Sequence, residues 1–196
     1  MRFPDEVRWT GVLADELGDD YVVVEEGLNG RTTAFDDPGF RCRNGSAFLE
    51  SSLLTHEPID VVVVMLGTND LKPRISGDPA VSAESLTELL DQIRSSFVGP
   101  RGTVPKLLVV SPPHLGEELL RSPFSADYGG MRAIEASREL APLYRERAKN
   151  YDAAFLDAAD HAVAGADGVH MDAESHGRLG EAVADAVRGL LSETRK

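Results

Sequence analysis

Two residues near the carboxyl end have the types and spacing of an acid–base pair: Asp167 and His170, three apart in DGVH, just before a final helical stretch. On one tight turn that spacing brings the carboxylate to the imidazole Nδ1–H, which fixes the tautomer and stabilises the imidazolium formed when Nε2 takes a proton. By itself DxxH is also what a surface turn capped by an aspartate looks like. Asn69, in GTND, offers an amide N–H of the kind an oxyanion hole needs, although Asn-Asp after a strand is ordinary turn chemistry too. Gly67 lets the chain turn sharply in front of Asn69, and Asp70 can hold that turn by hydrogen bonds to nearby backbone. Gly30, in EGLNGRTT, is either a turn glycine or a backbone N–H pointing into the same crevice. Arg31 beside it is expected to pair with Asp36 or Asp37, with steering of an anionic substrate as the alternative.

These residues must be held by something, and the pattern around them says what. The run IDVVVVMLGTND is continuous and β-branched, with Pro58 before it and Gly67 after it. It reads as a strand buried on both faces, hence part of a parallel sheet covered by helices above and below. In such sheets ligands lie beyond the carboxyl ends of the strands, where Gly67, Asn69 and Asp70 fall. Shorter strands are expected over residues 21–25 (YVVVE), 106–111 (KLLVVS) and 153–156. Between them, apolar stripes at helical spacing predict helices over 5–17, 45–56, 82–97, about 128–149 with a kink at Pro142, and 173–191. The alternation gives a single three-layer α/β/α domain spanning residues 1–196, with connections long enough for right-handed crossovers.

Composition narrows the class of function. With 33 acidic against 20 basic residues and a net charge of −13, nucleic acid and anionic membranes are poor partners. One cysteine, Cys42, excludes an internal disulfide and points to a reducing, cytoplasmic setting. No apolar run is long enough to span a bilayer.

EGLNGRTT with its Gly30, GTND and DGVH, in that order along the chain, resemble the second, third and fifth blocks of the SGNH (GDSL-type) hydrolase family. RFPDEVRWTGVLADELG, EEGLNGRTT, VMLGTND and VVSPP are similar to its arylesterase and acyltransferase-like branch, so the resemblance covers nearly the whole chain. It implies a flavodoxin-like strand order and a serine ester hydrolase without metal or organic cofactor, acting on small-molecule esters. In that reading His170 is the general base, Asp167 its orienter, and Asn69 with the Gly30 N–H the oxyanion hole. Reaction would pass through an acyl-enzyme that water or an alcohol resolves.

One block departs from the pattern. In the family a first strand and a GDS turn carrying the nucleophile precede the helix that here covers residues 5–17. No GDS occurs in this sequence, and no G-x-S-x-G replaces it. The resemblance puts that strand in the middle of the sheet, between residues 21–25 and the central run. Its loss predicts a slot about 10 Å wide lined by unpaired backbone. Three accounts follow: a chain start placed downstream of the true one, a non-catalytic relative that binds a ligand or partner, or a substitute nucleophile at Ser111. In either of the first two the chain as given hydrolyses esters weakly or not at all, and an open slot would favour self-association into a homo-oligomer.

Overall fold

The computed structural model describes residues 3–192. Its centre is a parallel sheet of β1 (Val61–Val64), β2 (Lys106–Ser111) and β3 (Ala154–Asp157), in that spatial order. Val61 pairs with Lys106 and Val64 with Val109 across the first ladder, and Leu108 with Ala154 and Ser111 with Asp157 across the second. Around it lie α1 (Trp9–Leu17), α2 (Ser46–Thr55), α3 (Pro79–Ser96), the single turn α4 (Ser125–Tyr128), α5 (Met131–Asn150) and α6 (Ala173–Ser192).

The alternation of β2 builds both halves of the core. Leu107 and Val109 face a cluster with Leu86, Leu90 and Ile93 of α3 and Ile134, Leu140 and Tyr144 of α5. Leu108 and Val110 face the opposite cluster, with Leu13 of α1 and Leu179, Val183 and Val187 of α6. Two helical layers therefore sandwich the sheet, and the expected α/β/α architecture is present. Asp78 caps α3 by accepting from the Ala80 and Val81 N–H groups, with Pro79 at the first helical position.

Several expectations need correction. Residues 21–25 form no strand: no backbone partner pairs them into the sheet, and Val22 is 90% exposed. Among the described residues β1 is therefore bonded on one side only, to β2. A β-branched run needs ladder partners to become a strand, and none of the described residues supplies one here. The helix expected over 82–97 ends at Ser96: Phe97 takes a left-handed conformation there and lies 60% exposed. In α2, Leu53 is buried and Leu54 exposed. The α1 helix starts at Trp9, with turns over residues 5–8 in place of a helical start. Pro142 lies inside a helix, α5, as expected. Part of the proline-containing connection after β2 is ordered into a 3-10 turn, Glu117–Arg121, and α4.

Candidate active site

The carboxyl end of β1 runs into Gly67, whose φ of +123° favours a residue without a side chain. Space demands glycine as well, because a Cβ there would lie 2.3 Å from the Tyr144 hydroxyl. A 3-10 turn, Thr68–Leu71, follows and presents Asn69 and Asp70 to opposite tasks. The Asp70 carboxylate is wholly buried and accepts from the Thr33 N–H (3.0 Å), the Thr33 hydroxyl (2.6 Å) and the Ser82 hydroxyl (2.7 Å). Burial raises its pKa, and these donors work against that rise. Its role thus reaches farther than the local turn expected of it, since it fastens the 26–34 loop onto the end of β1.

That docking brings Gly30 and Asn69 to one place. Asn69 Nδ2 donates to the Arg31 carbonyl at 3.0 Å, directly after Gly30, whose φ is +80°. On its other side the Asn69 Oδ1 accepts from the Tyr128 hydroxyl at 3.2 Å. The amide is therefore oriented from both ends, and the assignment of its nitrogen follows from these two partners. Burial pushes the Tyr128 hydroxyl well above the usual phenol range, so it remains a donor at physiological pH.

The DGVH turn is built differently. Asp167 Oδ1 accepts from the Val169 N–H (2.9 Å) and the His170 N–H (2.8 Å), while Oδ2 lies 2.7 Å from His170 Nδ1. One carboxylate thus clamps both the backbone and the ring of the histidine. Burial acts to raise the Asp167 pKa, but the His170 ring and the two backbone donors outweigh it and the net shift is downward. Gly168 has φ +72°, and a Cβ on it would strike the backbone of Leu119 at 2.1 Å, so only glycine lets this turn seat against the 3-10 turn after β2. The His170 side chain remains 64% exposed, and no described residue bonds its Nε2.

One short helix joins the two turns. Phe124, capping α4, meets the His170 ring edge-on with centroids 5.5 Å apart, and Tyr128 one turn later holds Asn69. Asp167 also acts electrostatically on Tyr128. Asn69, Asp167 and His170 each meet α4, and Gly30 joins them through the Arg31 carbonyl that Asn69 holds. Phe124 and Tyr128 carry no motif of their own and lie ahead of, or at the very start of, the helix that apolar spacing predicts from about residue 128. Their spacing of four, just ahead of Gly129 and Gly130, was the available signal.

Ser111 does not join this group. Its hydroxyl is 0% exposed and donates to Asp157 Oδ1 at 2.9 Å, tying the ends of β2 and β3. Arg31 also departs from expectation: Asp37 is taken by Arg74 (3.1 and 2.9 Å) and Asp36 accepts from Asn44, so neither pairs with it. His176 accepts the Trp9 N–H through Nδ1 at 3.2 Å, joining α6 to α1. Among the described residues no group of three or more His, Cys, Asp or Glu is placed to hold a metal ion. No described helix is long and apolar enough to cross a membrane.

The family model described as GDSL-like lipase/acylhydrolase matches residues 3–178. The chain belongs to this family. Among solved structures it is similar to Est24, a carbohydrate acetylesterase from Sinorhizobium meliloti, at 41% identity and a TM-score of 0.89, covering 97% of this chain and 88% of that one. It is also similar to the native aryl esterase of M. smegmatis, at 40% identity and a TM-score of 0.89, with the same coverage. None of the curated proteins compared with the chain matches it. The GDSL-like match accords with the three-layer fold, although the sheet described here has three strands.

Proposed function

We propose that the cluster around α4 is the acid–base and oxyanion half of a serine-type carboxylic ester hydrolase for small esters. The observation that carries this reading is the Asp167–His170 contact of 2.7 Å, made by a carboxylate that also pins the histidine backbone. His170 Nε2 would take the proton of an attacking hydroxyl, and Asp167 would hold the ring and offset the positive charge that results. The Asn69 amide, with the Gly30 N–H beside it, would stabilise the oxyanion of the tetrahedral intermediate. Collapse of that intermediate expels the alcohol, protonated by His170, and leaves an acyl-enzyme for water to resolve.

The similarity to a carbohydrate acetylesterase and an aryl esterase supports short acyl groups on small alcohols or phenols as substrates. Absence of a hydroxyl at His170 Nε2 among the described residues supports weak or no turnover by these 196 residues alone. The same observation favours a second reading, a non-catalytic relative that binds a ligand in this crevice. A reducing, cytoplasmic setting remains part of the proposal, on the strength of the single Cys42.

Turnover of p-nitrophenyl acetate separates the two. It is measured for the 196-residue chain and for the same chain preceded by a strand ending in Gly-Asp-Ser. The esterase reading expects turnover in the extended chain that His170→Ala abolishes and Asn69→Ala lowers by about 100-fold or more. An extended chain that folds yet shows no His170-dependent turnover overturns it. His170-dependent turnover by the 196 residues alone eliminates the binding-only reading and places a nucleophile within them.

A further inference from the structure

The loop beside Gly30 carries positive charge that the rest of this acidic chain does not neutralise. Four cations come together there: Arg31, Arg43, Lys72 and Arg74. Two carboxylates serve them. Asp37 is bound in fork geometry by Arg74, and Asp127 takes both Lys72 (3.3 Å) and Arg74. Among the described residues neither Arg31 nor Arg43 has an ion pair, in a protein with a net charge of −13. Glu26 exerts a distant pull on Arg31, but its carboxylate lies 3.0 Å from His56 Nε2.

Both arginines are positioned rather than loose. The Arg31 guanidinium lies 5.6 Å from the centre of the Phe48 ring, and its Nε is buried with no hydrogen-bond partner. Arg43 lies 5.9 Å from the centre of the Phe40 ring, and its Nη1 donates to the Arg41 carbonyl at 3.1 Å. The same side chain passes directly over Gly30, where a Cβ would meet its Nε at 3.1 Å. Burial lowers the pKa of Arg31, and repulsion from Arg43 lowers it further, so the two charges are close enough to oppose each other. Arg43 acts on buried Lys72 in the same sense, after burial and Arg74. Two neighbouring guanidinium groups without counter-ions, one with a buried unpaired donor, are relieved by a shared anion.

We propose that Arg31 and Arg43 form an anion subsite beside the candidate oxyanion hole, so that the preferred ester carries a carboxylate or another anionic group on the part lying over Gly30. This rests on the esterase reading for the reacting bond and on the arginine pair for the charge. Arg31 and Arg43 act in recognition, and no proton or electron moves through them.

The test measures binding, so that it does not depend on turnover. Succinamate and its neutral analogue succinamide, amides that the enzyme is not asked to cleave, are titrated into the intact chain by calorimetry at low ionic strength. The expectation is that succinamate binds about tenfold or more tightly than succinamide, and that high salt shrinks this preference. Arg31→Gln with Arg43→Gln should bring the two ligands within about twofold. Arg43→Gln alone, a change at a partly exposed side chain, should lose part of the preference, and Arg43→Lys should retain more of it than the glutamine. Equal binding of the two amides, no detectable succinamate binding, or an undiminished preference in the folded double variant overturns the proposal. A preference that survives in a chain failing the p-nitrophenyl acetate test upholds the arginine subsite while removing the ester. Turnover without the preference upholds the esterase and removes the subsite.

Discussion

KLLVVS and YVVVE are much the same signal in sequence, and the molecule treats them in opposite ways. The first is β2, flanked by β1 and β3, with Leu108, Val109 and Val110 all at 0% exposure. The second is unpaired, with Val22 and Val24 at 90% and 48% exposure. Intrinsic β-propensity cannot account for the difference, since Val outnumbers every other residue in YVVVE. Strand formation here depends on at least one backbone ladder partner and on helices to cover the faces. β2 has a partner on each side, β1 and β3 have one, and among the described residues YVVVE has none. Yet the loop that follows YVVVE is held firmly, because Asp70 reaches out from the end of β1 to grasp Thr33. A segment can lack a place in the sheet while its carboxyl end is still locked into the site.

The largest test of this contrast lies at its buried pole. Leu108→Ala removes a fully buried side chain that packs toward α1 and α6 and should cost about 3–4 kcal/mol, read as a shift in the urea midpoint with unchanged slope. A loss under about 1 kcal/mol would mean that the sheet centre relaxes far more freely than close packing allows.

Next comes the clamp that separates the two ends of the 21–34 segment. Asp70→Ala leaves the Thr33 N–H and two buried hydroxyls without their acceptor, at a cost of about 2–4 kcal/mol. Hydrogen exchange should accelerate at Thr33 and through the neighbouring 26–34 loop while remaining slow in β2. If the loop keeps its protection, it is held by contacts other than this carboxylate.

Much of this design could be read in the sequence, and the limits have physical causes. The order of elements was legible because α3, α5 and α6 carry apolar stripes of helical period and the 59–66 run is continuously apolar. GTND and DGVH were legible because each packs a glycine and short polar side chains into one turn, a chemistry that depends on local spacing. The partners of those side chains were not, because they come from far away in the chain. Asp70 meets Thr33 and Ser82, Asn69 meets Tyr128, and Arg74 displaces Arg31 from Asp37. Charge count along a loop does not say which cation wins a carboxylate when several compete for it.

The DGVH turn sharpens the comparison by being self-sufficient. Asp167 takes two backbone N–H groups and one ring nitrogen from within its own turn, so its contribution follows its charge. Its folded pKa lies below the unfolded value. The stability it contributes is therefore fully present above the ordinary carboxylate range and is lost as pH falls through the depressed folded value. Asp167→Asn should destabilise the protein at neutral pH and approach the parent's stability in acid, compared by urea midpoints at both conditions. An equal deficit at every pH would show that the side chain acts through shape and hydrogen-bond geometry, with charge playing no part.

The smallest effect is expected where the comparison began, in YVVVE itself. Val22 is 90% exposed, so Val22→Thr removes almost no buried apolar surface and should change stability by less than about 0.5 kcal/mol. The same exchange at Val109, equally β-branched but wholly buried in β2, puts a hydroxyl into an apolar cluster and should cost about 1–3 kcal/mol. Measured side by side, the pair isolates environment from propensity, because the residue type and the substitution are identical. Should Val22→Thr prove as costly as Val109→Thr, residues 21–25 must be covered in solution by something that the described residues do not supply. A β-strand docked against the free side of β1 would be the natural form for it, since unpaired backbone there is what makes the edge adhesive.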